Sequence, residues 1–167
     1  TLYRLMDQTN TLDKADEYTE MATVLIAGGY PGEALQVLQR AMSANLVSGD
    51  AKGRAQADLD KAKSQAASDR KDVAGAEKAL ADAKTGMQMV ATGKLYFSVG
   101  EYAKAADAIQ TGLAKGGVTE LDDANALLGV ALVRSDKLAE ARAAFEAVKG
   151  AKYADVARLW SLYIDGR

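Results

Sequence analysis

Three stretches of this chain are written to one plan, and the spacing between them constrains the fold more than any other feature. "AGGYPGEALQVLQRAM" (27–42), "SVGEYAKAADAIQTGL" (98–113) and "RSDKLAEARAAFEAV" (134–148) each run from a turn into an alanine, with a large apolar residue four positions later. The alanines are Ala34, Ala105 and Ala141, and the large residues are Leu38, Ile109 and Phe145. The helix before each turn has a small residue, Ala22, Gly93 or Gly129, with Leu25, Tyr96 or Leu132 three further on. Gly93 and Gly129 are 36 positions apart, as are Ile109 and Phe145; Ala22 and Gly93 are 71 apart, as are Leu38 and Ile109. A period near 34 belongs to helix-turn-helix repeats, and 71 is about two of them.

On "GKLYFSVGEYAKAADAIQTGL" (93–113) and "GVALVRSDKLAEARAAFEAV" (129–148), the chain resembles the tetratricopeptide repeat family. The first copy carries the same outline through Ala22, Leu25, Gly29, Ala34 and Leu38. No copy has the tryptophan that often opens the first helix, and the closing proline is replaced, by Gly117 in one copy. The resemblance implies an all-α superhelix of stacked antiparallel helix pairs, ending in a capping helix. The physical reading agrees. Gly93 and Gly129 permit close helix approach, the alanines do so from the partner helix, and neighbouring pairs stack because none buries its apolar face alone.

Composition supports helix throughout. Apolar residues make up 49% of 167, alanine is abundant, and Pro31 is the single proline, which suits helix and disfavours the alternation of strands. One domain over 1–167 is expected, with repeat units at about 15–45, 86–116 and 120–149 and a capping helix at 152–165. A degenerate unit fills about 46–84, because the 71-residue offset leaves room for it. That stretch has only Leu59, Val73 and Leu80 as large apolar residues, without heptad spacing; one long helix is the alternative, and a hairpin breaking within 67–75 is expected. Thr85 with Gln88, and Thr119 with Asp122, have capping-box spacing. "AKGG" (114–117) suits a left-handed helix terminus. These place helices near 86–98, 101–115, 120–134 and 137–148. In the last segment Val156, Leu159, Trp160 and Tyr163 share one helical face, with Trp160 as a lid on the core.

The same composition excludes several kinds of chemistry. Net charge is −2, so no basic field holds a nucleic-acid backbone. No apolar run is long enough to span a bilayer. The chain has neither cysteine nor histidine, which removes disulfides, thiolate nucleophiles, imidazole bases and the usual zinc ligands. Carboxylates such as Asp58 with Asp60 diverge on a helix, and no phosphate-binding or nucleophile-elbow motif occurs. The expectation is a non-enzyme without cofactor or metal. The chain opens on Thr1, so it reads as a fragment or a processed product. Alanine-rich, acidic, cysteine-free arrays of this kind are similar to bacterial envelope proteins, which implies a periplasmic location.

What the resemblance implies for function is a protein-interaction scaffold whose concave groove, lined by the first helix of each pair, holds a peptide or helix. The alternative is a structural segment of a longer array with no ligand of its own. The family's clamp for chaperone C-terminal carboxylates needs lysine and asparagine at slots that here hold Thr19, Val90 and Ala126, and Thr23, Lys94 and Val130, so that specificity is not expected. The residue after each bulky slot, Ile26, Phe97 or Val133, is expected to face inward, with Lys94 and Arg134 beside it. An apolar row edged by cations suits an amphipathic or acidic partner segment. The same three residues equally suit packing between neighbouring first helices.

Overall fold

A computed structural model describes residues 1–167 and is all-helical. The helices are α1 (Leu2–Gln8), α2 (Ala15–Ala27), α3 (Pro31–Ser43), α4 (Asp50–Asp72), α5 (Ala76–Asp82), α6 (Gly86–Ser98), α7 (Tyr102–Lys115), α8 (Leu121–Arg134), α9 (Leu138–Glu146) and α10 (Ala151–Asp165). Short turns join α2 to α3, α6 to α7 and α8 to α9, and the members of each pair pack against each other, as antiparallel neighbours do. α7 packs on α8 and α9 on α10, so each pair leans on the next. No helix is long and apolar enough to cross a membrane.

The turns carry the sequence period in their backbone. Gly29, Gly100 and Asp136 all adopt left-handed conformations, with φ of +81°, +88° and +59°. Asp136 does so with a side chain, which aspartate tolerates better than most residues. At the other end of α7, Gly116 and Gly117 both have positive φ, as their sequence suggests. Thr85 and Gln88 form the reciprocal cap of α6: Thr85 Oγ1 accepts from the Gln88 N–H, and Gln88 Oε1 accepts from the Thr85 N–H. The second expected box does not form. Glu120 caps α8 without a side-chain bond, and Asp122 reaches across to accept from the Lys149 and Gly150 N–H groups at 2.8 and 2.9 Å. It caps the start of α10 instead of its own helix.

The close approaches sit at the repeat's small residues. A methyl group on Gly129 would lie 2.6 Å from the Phe145 ring, and one on Gly93 would lie 2.5 Å from Ile109 Cγ1. Phe145 in turn stacks on Trp160, with centroids 5.4 Å apart and planes 11° from parallel. Trp160 is wholly buried and lies over the end of the core. The expected face of α10 is partly wrong: Leu159 points outward, and Ala157 and Ile164 join Trp160 and Tyr163 on the packed side.

Residues 46–84 do not form a hairpin. Backbone angles stay right-handed through Asp72, Val73, Gly75 and Ala76, with one 3-10 turn at Val73–Gly75. α4 packs on α3 and α2, whereas α5 packs on α6. The break falls inside the expected interval, but the chain bends there and does not reverse. The reason is a seam of small residues. Ala51, Ala55, Ala62, Ala66 and Ala76 are buried, and Leu59 and Val73 fall between them. From Ala55 onward these positions recur at alternating intervals of four and three, which is a coiled-coil rhythm written mostly in alanine. Asp69 takes one place in it and accepts a 2.6 Å bond from Ser98 Oγ on α6.

Two outcomes follow. Phe145→Ala should cost about 3–5 kcal/mol, since the ring is buried against Gly129 and Trp160. Ala62→Leu should cost about 1–3 kcal/mol by overpacking the α4 seam, whereas the same change at exposed Ala57 should leave the melting temperature nearly unchanged. Thermal melts of the three variants check both.

Candidate partner-binding site

The candidate site is built where helix ends converge. The α2–α3 turn brings Tyr30 to the N-cap of α3, Pro31 to its first position and Glu33 to its first turn. A carboxylate there is favoured by the helix dipole. A side-chain carbon at Gly32 would overlap the Ser98 carbonyl at the end of α6. Glycine therefore lets this turn seat on α6, beside Phe97. Arg134, the last residue of α8, and Tyr102, the first of α7, close the arrangement. α1 supplies its remaining member, Arg4.

Glu33 is the hub. Arg4 Nε donates to both Glu33 oxygens at 3.1 and 2.9 Å, and its Nη2 donates to Oε2 at 2.7 Å. Arg134 Nη2 donates to Oε1 at 2.6 Å, and its Nη1 donates to the Tyr102 hydroxyl at 3.0 Å. The Arg4 and Glu33 side chains are 7% and 3% exposed. Aromatic rings wall the site. The Arg4 guanidinium lies 4.3 Å from the Tyr30 centroid and 4.9 Å from that of Phe97. The Arg134 guanidinium lies 5.3 Å from Phe97 and 5.0 Å from Tyr102. Phe97 is thus shared between two cations and meets Tyr30 and Tyr102 edge-on.

The electrostatics follow from burial and partners. Burial alone would raise the Glu33 carboxyl, but Arg4 and Arg134 outweigh it and hold the group below the usual carboxylate range. Burial works against the Arg4 charge, and Glu33 more than restores it. Burial pushes the Tyr30 phenol up to about 12, so it stays neutral. Asp7, which pairs with Arg40, moves the other way: burial raises its carboxyl despite Arg40 and Arg134.

Beside Arg4 lies a cavity of about 360 Å³. Met21 and Leu25 of α2, Lys94 of α6, Leu127 of α8 and Tyr153 of α10 wall it, and Thr1, Tyr3 and Arg4 line its α1 side. Lys94 Nζ is 3.6 Å from Asp123 at its rim. α1 runs on along this face. Leu5 is buried, Gln8 Nε2 donates to the Tyr163 hydroxyl at 3.2 Å, and Asp7 and Gln8 flank a shallow depression that includes Val133.

Of the expected row, Phe97, Val133, Arg134 and Lys94 therefore gather around α1, and Ile26 does not. Ile26 is buried and faces α4, where it lines a separate depression with Gln65, Ser68 and Asp69. Phe97 is fully enclosed and meets no solvent. The two expected cations are already engaged, Arg134 by Glu33 and Lys94 by Asp123, so they offer an acidic segment no unpaired charge. Arg4, Tyr30, Glu33 and Tyr102 went unread in the sequence. Arg4 and Glu33 are 29 positions apart and Arg134 and Glu33 are 101 apart, and no local pattern links them. No protein-family model matches the chain, and no similarity to a curated protein or to a solved structure is found.

Glu33→Gln should destabilise the fold by about 3–5 kcal/mol, since the buried Arg4 and the half-buried Arg134 lose their shared counter-charge. The pH dependence has a definite sign. The folded carboxyl titrates below its unfolded value of about 4.3, so its stabilisation is complete above that pH and is lost as pH falls through the lower folded value. Asp7, being raised mainly by its own burial, acts with the opposite sign in both proteins. In denaturant titrations the gap between wild type and Glu33→Gln should be widest near neutral pH and close in acid.

Proposed function

We propose that the chain is a tetratricopeptide-like interaction scaffold, without catalytic activity, whose inner face takes up a helical segment of another protein. The observation that carries this reading is the origin of the cavity walls. α2, α6 and α8, each the first helix of its pair, line one cavity together with α1, Tyr30 and the last helix α10, and α7 and α9 contribute nothing to it. Helices that open each pair lining a common inner face is the arrangement that an interaction solenoid uses for its ligand. The left-handed turns at Gly29, Gly100 and Asp136, spaced like the sequence repeat, support the repeat reading. The inner face also already seats a helix, α1, through side-chain contacts, which is the helix-in-groove mode of recognition.

A second reading, a structural segment of a longer array, draws support from α10. Leu159 and Leu162 are 45% and 58% exposed on its outward side, an apolar edge suited to another stacked unit.

Photo-crosslinking separates the two. A benzoylphenylalanine at Val24, on the cavity wall and 54% exposed, should capture a partner. The same group at Glu140 of α9, away from the cavity, should not. Tyr153→Ala in the Val24 probe should abolish capture while the melting temperature moves by only a few degrees. Capture only from a probe at Leu162, unaffected by Tyr153→Ala, would favour the array.

A further inference from the structure

The segment that bends where a hairpin is expected also divides the molecule. α4 packs on α2 and α3, whereas α5 packs on α6. Residues 1–72 and 76–167 are thus two helical bodies joined by the 3-10 turn at Val73–Gly75. Gly75, at φ −95° and ψ −3°, departs from α-helical angles, and a side-chain carbon there would meet nothing within 4 Å. A short 3-10 stretch inside a helical run is a place where the run bends, and glycine lowers the resistance to bending. Between the bodies the contacts are few. α3 and α4 touch α6 only sparsely, while neighbours inside each body pack closely. Glu33 with Arg134, at 2.6 Å, is the one ion pair that crosses; every other lies inside one body. Ser98 of α6 donates to Asp69 of α4 at 2.6 Å, Gln8 donates to Tyr163, and Phe97 meets Tyr30 edge-on. Two bodies joined without a large apolar seam are expected to move relative to one another.

We infer that Val73–Gly75 is a hinge, and that the Glu33–Arg134 pair is the latch that holds the two bodies closed. The charges around the pair suit a contact that opens and recloses. Glu33 keeps Arg4, a member of its own body, when Arg134 withdraws, so no buried carboxylate is left unpaired. Arg134 keeps the Tyr102 hydroxyl of its own body, which holds the guanidinium in place for reclosing. Its side chain is 13% exposed against 3% for Glu33, so it is the partner that water reaches first. The cavity beside Arg4 has walls from both bodies, α2 on one and α6 and α8 on the other. The angle at the hinge therefore sets the shape of that cavity.

The chain has no cysteine, so pairs of introduced cysteines carry spin labels without background. Double electron–electron resonance between labels at Lys63 of α4 and Glu140 of α9, both exposed, reads the distance between the bodies. Labels at exposed Gln110 of α7 and at Glu140 read a distance inside one body. Arg134→Gln should widen the between-body distribution and add a longer component. The within-body distribution and the helical content by circular dichroism should stay as in the wild type. Adding Gly75→Ala, which meets no neighbour and stiffens the backbone, should narrow the between-body distribution again. If Arg134→Gln prevents folding, Ser98→Ala removes the tie to Asp69 and serves in its place. A between-body distribution unmoved in the folded variant would overturn the latch. Widening that Gly75→Ala leaves unchanged would overturn the hinge at Val73–Gly75. Equal widening of the within-body distance would show helices loosening in place of bodies swinging, and would overturn both.

Discussion

The buried carboxylate of Glu33 is the point on which distant parts of the chain agree. It joins α1, α3 and α8 through two guanidiniums, so three segments distant in sequence are fixed relative to one another. A buried charge is tolerated only when its partners are close and its hydrogen-bonding capacity is filled. Both Glu33 oxygens are occupied, and the net positive charge left over is spread against the faces of Tyr30, Phe97 and Tyr102. The aromatic walls are therefore part of the electrostatic solution as well as of the packing. Removing a ring would leave cations facing empty, low-dielectric space.

That junction requires the backbone of the α2–α3 turn to lie very close to the end of α6. Gly32 permits it, and Ser98, wholly enclosed, ties the contact to Asp69 of α4. The same economy of volume recurs down the molecule. Gly93 against Ile109, Gly129 against Phe145 and the alanines of α4 against α3 and α2 each substitute backbone proximity for side-chain bulk. Such a core gains less from hydrophobic area per residue and more from dense contact. It also leaves little room for adjustment, so enlargement is penalised as firmly as truncation.

How far the fold was legible follows from what kind of information each feature leaves in a sequence. α6 to α9 came within one or two residues of their expected limits because glycine turns, caps and the 36-residue offset are local or periodic signals. α4 was misread because only large apolar residues were weighed. The alanines at 55, 62 and 66 kept the four-and-three rhythm all along, and counting small residues as core would have found a continuous helix in place of a hairpin. The Thr119 and Asp122 box failed for another reason: Asp122 had a better use 27 positions away, at Lys149. The site was the least legible. Phe97 and Arg134 were found because they occupy repeat slots. Arg4 and Glu33 belong to no period, and Glu33 is one acidic residue among 23 until the fold makes it the one between two arginines.

α1 differs from the paired helices in how it is held. Paired helices in this chain touch along their lengths, whereas α1 is held mainly by the ends of side chains: Arg4 on Glu33, Asp7 on Arg40, Gln8 on Tyr163, with Leu5 beneath them. Contacts of that kind are specific in direction yet bury modest apolar area. A segment held this way opens at lower free energy than the paired helices below it.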